Sequence, residues 1–142
     1  MATSFWSTVR PNLRSYALML DPAPDLVAST GFVVLSPRKT SFAYVYALTT
    51  TDLFVDYLSR RASGSAYPAV TPPAFLEAPA LIPPDDVLEA FAEVTEPLCR
   101  LASKLRSQSA TLVNTRDLML PRLISGEVDI SSLDIALPPA TA

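Results

Sequence analysis

With 142 residues the chain can bury one modest core, and at 49% hydrophobic and 18% charged residues it stands apart from disordered sequences. Histidine is absent and cysteine occurs once, at Cys99, which excludes an internal disulfide, a Cys/His zinc site and any histidine-based triad. The net charge of −3 is unevenly spread, with six bases against four acids in residues 1–72 and five against ten in 73–142, so contact with a polyanion belongs to the first half.

Along the chain, SYALML (15–20) and TGFVVLS (30–36) are short runs rich in β-formers, and both are predicted strands. The intervening DPAPD is a loop, because proline and its preceding residue disfavour helix. SFAYVYALTTTDLFVDYLSRR (41–61) spaces its apolar residues by about three and four, which predicts a short helix and then a second one capped by Thr51, with Asp52 in its first turn. ASGSAYPAVTPP (62–73) breaks this period and reads as a loop ordered by Tyr67 and Val70. TPPAFLEA gives one helical turn, with Thr71 as N-cap and Pro72 in the first position. PALIPPDD is expected to hold a short strand before a Pro-Pro corner.

The strongest pattern follows. Val87, Phe91, Val94, Leu98, Leu101, Leu105, Gln108, Leu112, Thr115 and Met119 are separated alternately by four and three residues, a heptad seam of the coiled-coil kind. At ~1.5 Å per residue it extends roughly 50 Å, which a small domain cannot cover, so the seam calls for a second long helix. Gln108 and Thr115 are polar members that either fix register or mark a splayed stretch. Pro97 predicts a kink or break near 95–97, with Thr95 capping a new start, and Pro121 is expected to end the helix before an apolar docking tail. The expected class is α+β: a first domain over 1–84, a coiled-coil helix over 85–120 and a docking tail over 121–142.

Catalysis finds little to use. Neither Lys39 nor Lys104 has an apolar setting, Asp85 and Asp86 suit a helix start, and the three glycines form no phosphate loop. The chain is therefore expected to be no enzyme, with no catalytic residue, metal or cofactor. No basic-then-apolar leader and no run of about 20 apolar residues is present, which predicts a cytoplasmic protein without membrane contact. Arg10, Arg14 and the Arg60–Arg61 pair suit phosphate or guanine contact, and Ser63, Ser65 and Tyr67 beside Gly64 allow close backbone approach. For Arg60 and Arg61, a charge role at a helix C-terminus is an equal reading.

Taken as blocks, STVRPNLRSYAL (7–18), ASTGFVVLSP (28–37), AYVYALTTTDLFVDYL (43–58), ASGSAYPAV (62–70), IPP (82–84), FAEVTEPL (91–98) and NTRDLMLPRLISGEVDI (114–130) resemble the C-terminal part of a type I restriction–modification specificity (S) subunit. The resemblance covers nearly the whole chain, and the last block is its most specific part. It implies a target-recognition domain that reads half of a bipartite site in double-stranded DNA. It also implies a conserved helix that pairs antiparallel with a second one and holds methyltransferase (M) subunits, to which nuclease (R) subunits join. The S subunit itself does no chemistry. One recognition domain and one helix are present here, which implies a truncated or half subunit and a possible homodimer or second S chain as helix partner. The matching positions implied to face DNA are Arg10, Arg14, Ser63, Gly64, Ser65 and Tyr67. The alternative is a helical assembly or decoy module that binds an M subunit or another S chain without reading DNA.

Overall fold

A computed structural model of the chain describes residues 2–131, and the protein divides into two units, Met1–Ser103 and Lys104–Ala142. In the first, β1 (Thr3–Ser7), β2 (Tyr16–Met19) and β3 (Phe32–Leu35) form an antiparallel sheet in the order β2-β1-β3. Phe5 stands opposite Ala17 and Val34, and Trp6 opposite Tyr16 and Val33. Because side chains alternate along a strand, Ser4 and Trp6 share the buried face while Thr3, Phe5 and Ser7 share the other. Three helices follow, α1 (Phe42–Thr49), α2 (Asp52–Arg61) and α3 (Pro72–Leu76), and then the 40-residue α4 (Asp85–Ile124).

Trp6 and Leu58 are fully buried, and Phe54, Val55, Val70, Ala74 and Phe75 close around them, so β1, α2, α3 and the segment before α3 share one core. The indole N–H of Trp6 donates to Thr49 Oγ1 at 3.3 Å, which answers the one polar group of this large side chain. A smaller cluster of Leu20, Phe42 and Ala43 receives Phe91 and Cys99 from α4. The helix starts are built as their sequence suggests. Ser41 Oγ accepts from Ala43 N at 3.0 Å and Thr51 Oγ1 from Phe54 N at 3.3 Å, whereas Thr71 occupies the N-cap of α3 without a side-chain bond.

The architecture is α+β, as expected, with several differences in detail. The central strand β1 was not foreseen: its five residues set two adjacent aromatics between Thr, Ser and Ser, with no alternation of apolar and polar positions and too short a run to declare a period. No strand forms in the segment before α4. Pro79, Pro83 and Pro84 remove ladder donors there, and the Tyr44 hydroxyl instead donates to the Leu81 carbonyl.

Helix α4 runs without a break through residues 95–97. Thr95 Oγ1 donates back to Phe91 O at 2.7 Å and so caps nothing. Glu93 and Pro97 are both exposed, so water can reach the carbonyl that the proline leaves unpaired. Pro121 does not end the helix either. The stop is Gly126, at φ 73°, whose N–H returns to Leu123 O at 3.2 Å while Val128 N–H reaches Arg122 O at 3.2 Å.

In the second unit the described residues are the 104–124 part of α4 and its C-terminal turn. Arg122 pairs there with Glu127 at 3.0 Å. The expected docking tail lies partly outside the described residues, from 132 onward. No helix among the described residues is long and apolar enough to cross a membrane.

Candidate nucleic-acid and helix-pairing surfaces

The VRPNLR block makes a tight corner. A 3₁₀ turn over Pro11–Leu13 is flanked by Arg10 at φ 49° and Arg14 at φ 54°, both left-handed. For residues with a Cβ this conformation costs roughly 1–2 kcal/mol each, so their surroundings must hold them there. Buried Pro11 supplies the anchor, and the Arg14 N–H closes the turn onto Pro11 O at 3.0 Å. Both guanidinium groups are left at the surface.

Arg10 meets the SGSAYP loop. Its N–H donates to Pro68 O at 2.7 Å, its Nη2 to Ala66 O at 3.0 Å, and its guanidinium carbon lies 5.0 Å from the Tyr67 ring centroid. The loop is closed at its base by Ser63 N to Ala69 O at 3.0 Å and Ala69 N to Ser63 O at 2.9 Å, and Ala69 also bridges to Val9. Gly64 has φ 107°, and a Cβ built there would stand 3.1 Å from Tyr67 O, so the turn requires glycine. Ser63, Gly64, Ser65 and Tyr67 are all exposed. Five of the six residues predicted to face DNA therefore form one surface feature.

Arg14 belongs elsewhere. It reaches the start of α2, where Nη1 lies 3.5 Å from Thr50 O and Nη2 pairs with Asp52 Oδ1. That bond holds the guanidinium pKa above its ordinary value. Two features escaped the sequence reading. Arg61 donates to Glu77 Oε2 at 2.5 Å across a small cleft beside the loop. A larger cleft of about 480 Å³ lies between Arg38–Ser41 and the first turns of α4, crossed by the Ser41 hydroxyl donating to Glu96 Oε1 at 2.8 Å. Neither follows from spacing, since each joins residues far apart in the chain.

The seam on α4 is separate from the face the helix packs with. Leu88, Phe91, Ala92, Thr95, Glu96 and Cys99 are the buried or half-buried positions between Asp85 and Ser103. Val87, Val94, Leu98 and Leu101 are exposed, so of the seam residues in this unit only Phe91 is drawn inward. In the second unit Leu105, Gln108, Leu112, Thr115 and Met119 are all exposed, and Thr115 Oγ1 satisfies itself on Thr111 O at 2.9 Å. Sequence periodicity found the open stripe and missed the docked one, because the docked stripe includes Thr95 and Glu96 and so lacks a continuous apolar signal.

Comparison of the chain with family models, curated proteins and solved structures finds no match.

Proposed function

We propose that this chain is the DNA sequence-recognition component of a type I restriction–modification complex, supplying part or all of its specificity subunit. It directs methyltransferase and nuclease subunits to a bipartite site in double-stranded DNA. The observation that carries this reading is the meeting of two distant blocks, VRPNLR and SGSAYP, through the contact of Arg10 with Ala66, 56 residues on, and with Tyr67. A strained arginine, Arg10, beside a glycine-dependent loop suits a recognition corner, where backbone strain is kept for presentation of side chains. The exposed heptad stripe supplies the other requirement, a helix surface for a second long helix, and the bend expected at Pro97 belongs to that coiled-coil reading.

The test is DNA affinity of the chain in complex with a type I M subunit, titrated against salt. Binding tighter than that of M alone, falling steeply with salt and weakened when Arg10 and Arg14 are changed to Ala, is the expected result. A complex that binds DNA no better than M alone sinks the reading.

A second reading has specific support. Arg14 and Arg61 each hold a carboxylate, and the net charge is −3, so the surface is poor in uncompensated cations. On this reading the chain is an assembly or decoy module that binds an M subunit or another S chain and ignores DNA. Complex formation that needs Leu101 and Leu105 but is indifferent, in every DNA assay, to Arg10 and Arg14 would select it.

A further inference from the structure

Arg61 stands in the last turn of α2, where a cation complements the helix dipole. Its surroundings go beyond that role. The guanidinium carbon lies 4.7 Å from the centroid of the Tyr57 ring, which orients the planar fork, and Nη1 donates to Glu77 Oε2 at 2.5 Å. The pair spans a cleft of about 270 Å³ whose other lining residues are Ser63, Ala69, Thr71 and Ala74. Ser63 and Ala69 are the two residues that close the SGSAYP loop, so the cleft and the loop share a wall.

A stacked guanidinium with hydroxyl side chains around it is suited to a phosphate, which it can bind through two parallel N–H donors. At present the acceptor is a carboxylate. Both partners are about half exposed, and an ion pair in that setting is weak enough to be exchanged.

Resting on the DNA-reading function above, we propose that this cleft is a phosphodiester subsite, in which a DNA backbone phosphate displaces Glu77 from Arg61, and that Glu77 is thereby a built-in brake on DNA affinity. The exchange makes and breaks no covalent bond. Arg61 is neutralised in both states, so Glu77 subtracts the free energy of the lost ion pair from each binding event. Contact at this position is with the backbone and is insensitive to sequence.

The test uses the full chain and a mixed-sequence DNA duplex at low salt, with affinity read by fluorescence anisotropy. Glu77→Gln is expected to bind about two- to fivefold tighter than wild type, the fold-change that corresponds to removal of an exposed ion pair. Misfolding cannot produce such a gain. Arg61→Ala is expected to lower affinity and reduce the slope of log K against log salt by about one. On the Arg61→Ala background the Glu77→Gln gain is expected to vanish. Glu77→Gln binding no tighter than wild type, undetectable binding by both included, or a gain that persists without Arg61, overturns the proposal. The M-subunit experiment with Arg10 and Arg14 decides the recognition reading separately, so the two can fail independently.

Discussion

The guanidinium of Arg10 lies 5.0 Å from the centroid of the Tyr67 ring while its Nη2 donates to the carbonyl of the neighbouring Ala66 at 3.0 Å. One side chain thus ties a left-handed corner to a loop more than 50 residues away. The ring fixes the plane of the fork and the carbonyl fixes its rotation, leaving a guanidinium already ordered before any ligand arrives. On the proposed function, Tyr67→Leu, which removes the ring, is expected to lower DNA affinity of the complex with an M subunit two- to fivefold, in line with about 0.5–1 kcal/mol for an exposed cation–π contact. Tyr67→Phe keeps the ring face and is expected to match wild type. Equal losses for both variants would show that the hydroxyl, and not stacking, matters.

The loop depends on a backbone conformation as well as on contacts. Gly64→Ala places a Cβ at φ 107° and 3.1 Å from Tyr67 O, and is expected to strain the loop by about 1–3 kcal/mol. Since the Ser63–Ala69 pair closes the loop locally, the strain is released by opening there. Hydrogen exchange at the Ala69 amide, which donates to Ser63 O at 2.9 Å, is therefore expected to accelerate about ten- to a hundredfold. Amides in the middle of α2 are expected to keep their rates. Uniform acceleration through both would place Gly64 in the global fold.

Much of the first unit was legible from residue order. Thr51, Thr71 and Pro72 announce their helix starts, and the aliphatic runs mark β2 and β3, because these signals act within a few residues. The strand TSFWS was not legible, since its reason for being a strand is the burial of Trp6 among residues 54–75. Proline was overread at 121, where the helix continues because the position is exposed, and at 97 no break forms; Gly126, whose left-handed φ turns the chain, was the better stop signal. At the candidate site, residue type picked out Arg10 and the SGSAYP loop. The carboxylates that hold Arg14 and Arg61 come from 38 and 16 residues away and leave no trace in local pattern.

The two stripes of α4 make opposite predictions for the same substitution. Leu88 is 9% exposed, and Leu88→Ala is expected to destabilise the first unit by about 2 kcal/mol, the low end for a buried leucine. Leu101 and Leu105 are both 53% exposed, so either changed to Ala is expected to shift stability by no more than about 0.5 kcal/mol. Changing both to Asp is expected to leave the melting of the isolated chain nearly unaltered and, on the proposed function, to abolish assembly with a second long helix. Urea melts of the single variants and light scattering of the Asp variant check this. A large loss of stability from Leu101→Ala would mean that the stripe is already covered within the chain.

Thr49 lies where a hydroxyl is needed twice. Its Oγ1 accepts from the Trp6 indole N–H at 3.3 Å and donates to Val45 O at 2.8 Å, so it links the central strand to the end of α1. Thr49→Val preserves shape and removes the acceptor, leaving a buried indole N–H without a partner at a cost of about 1–3 kcal/mol. Thr49→Ser keeps the hydroxyl and is expected to lose less. Chemical denaturation followed by Trp6 fluorescence, the chain's single tryptophan, reports both. Equal stability of Thr49→Val and wild type would mean that the indole donor is satisfied by water.

After the glycine stop, Asp129 accepts from the Ser131 backbone N–H at 2.9 Å and from its hydroxyl at 2.6 Å. These bonds favour the carboxylate and lower its pKa, the hydroxyl contributing most and the backbone N–H next. A depressed folded-state value means that the turn gains stability from ionised Asp129 at all pH above the unfolded value, about 3.9. That gain is lost as pH falls from there through the folded value, while at neutral pH it is constant. A carbon-detected NMR titration of the Asp129 carboxyl is expected to give a midpoint below the ordinary aspartate value. Ser131→Ala is expected to raise it part of the way back, leaving the backbone contribution, whereas an unchanged midpoint in that variant would remove the hydroxyl from the account and leave the turn held by the main chain alone.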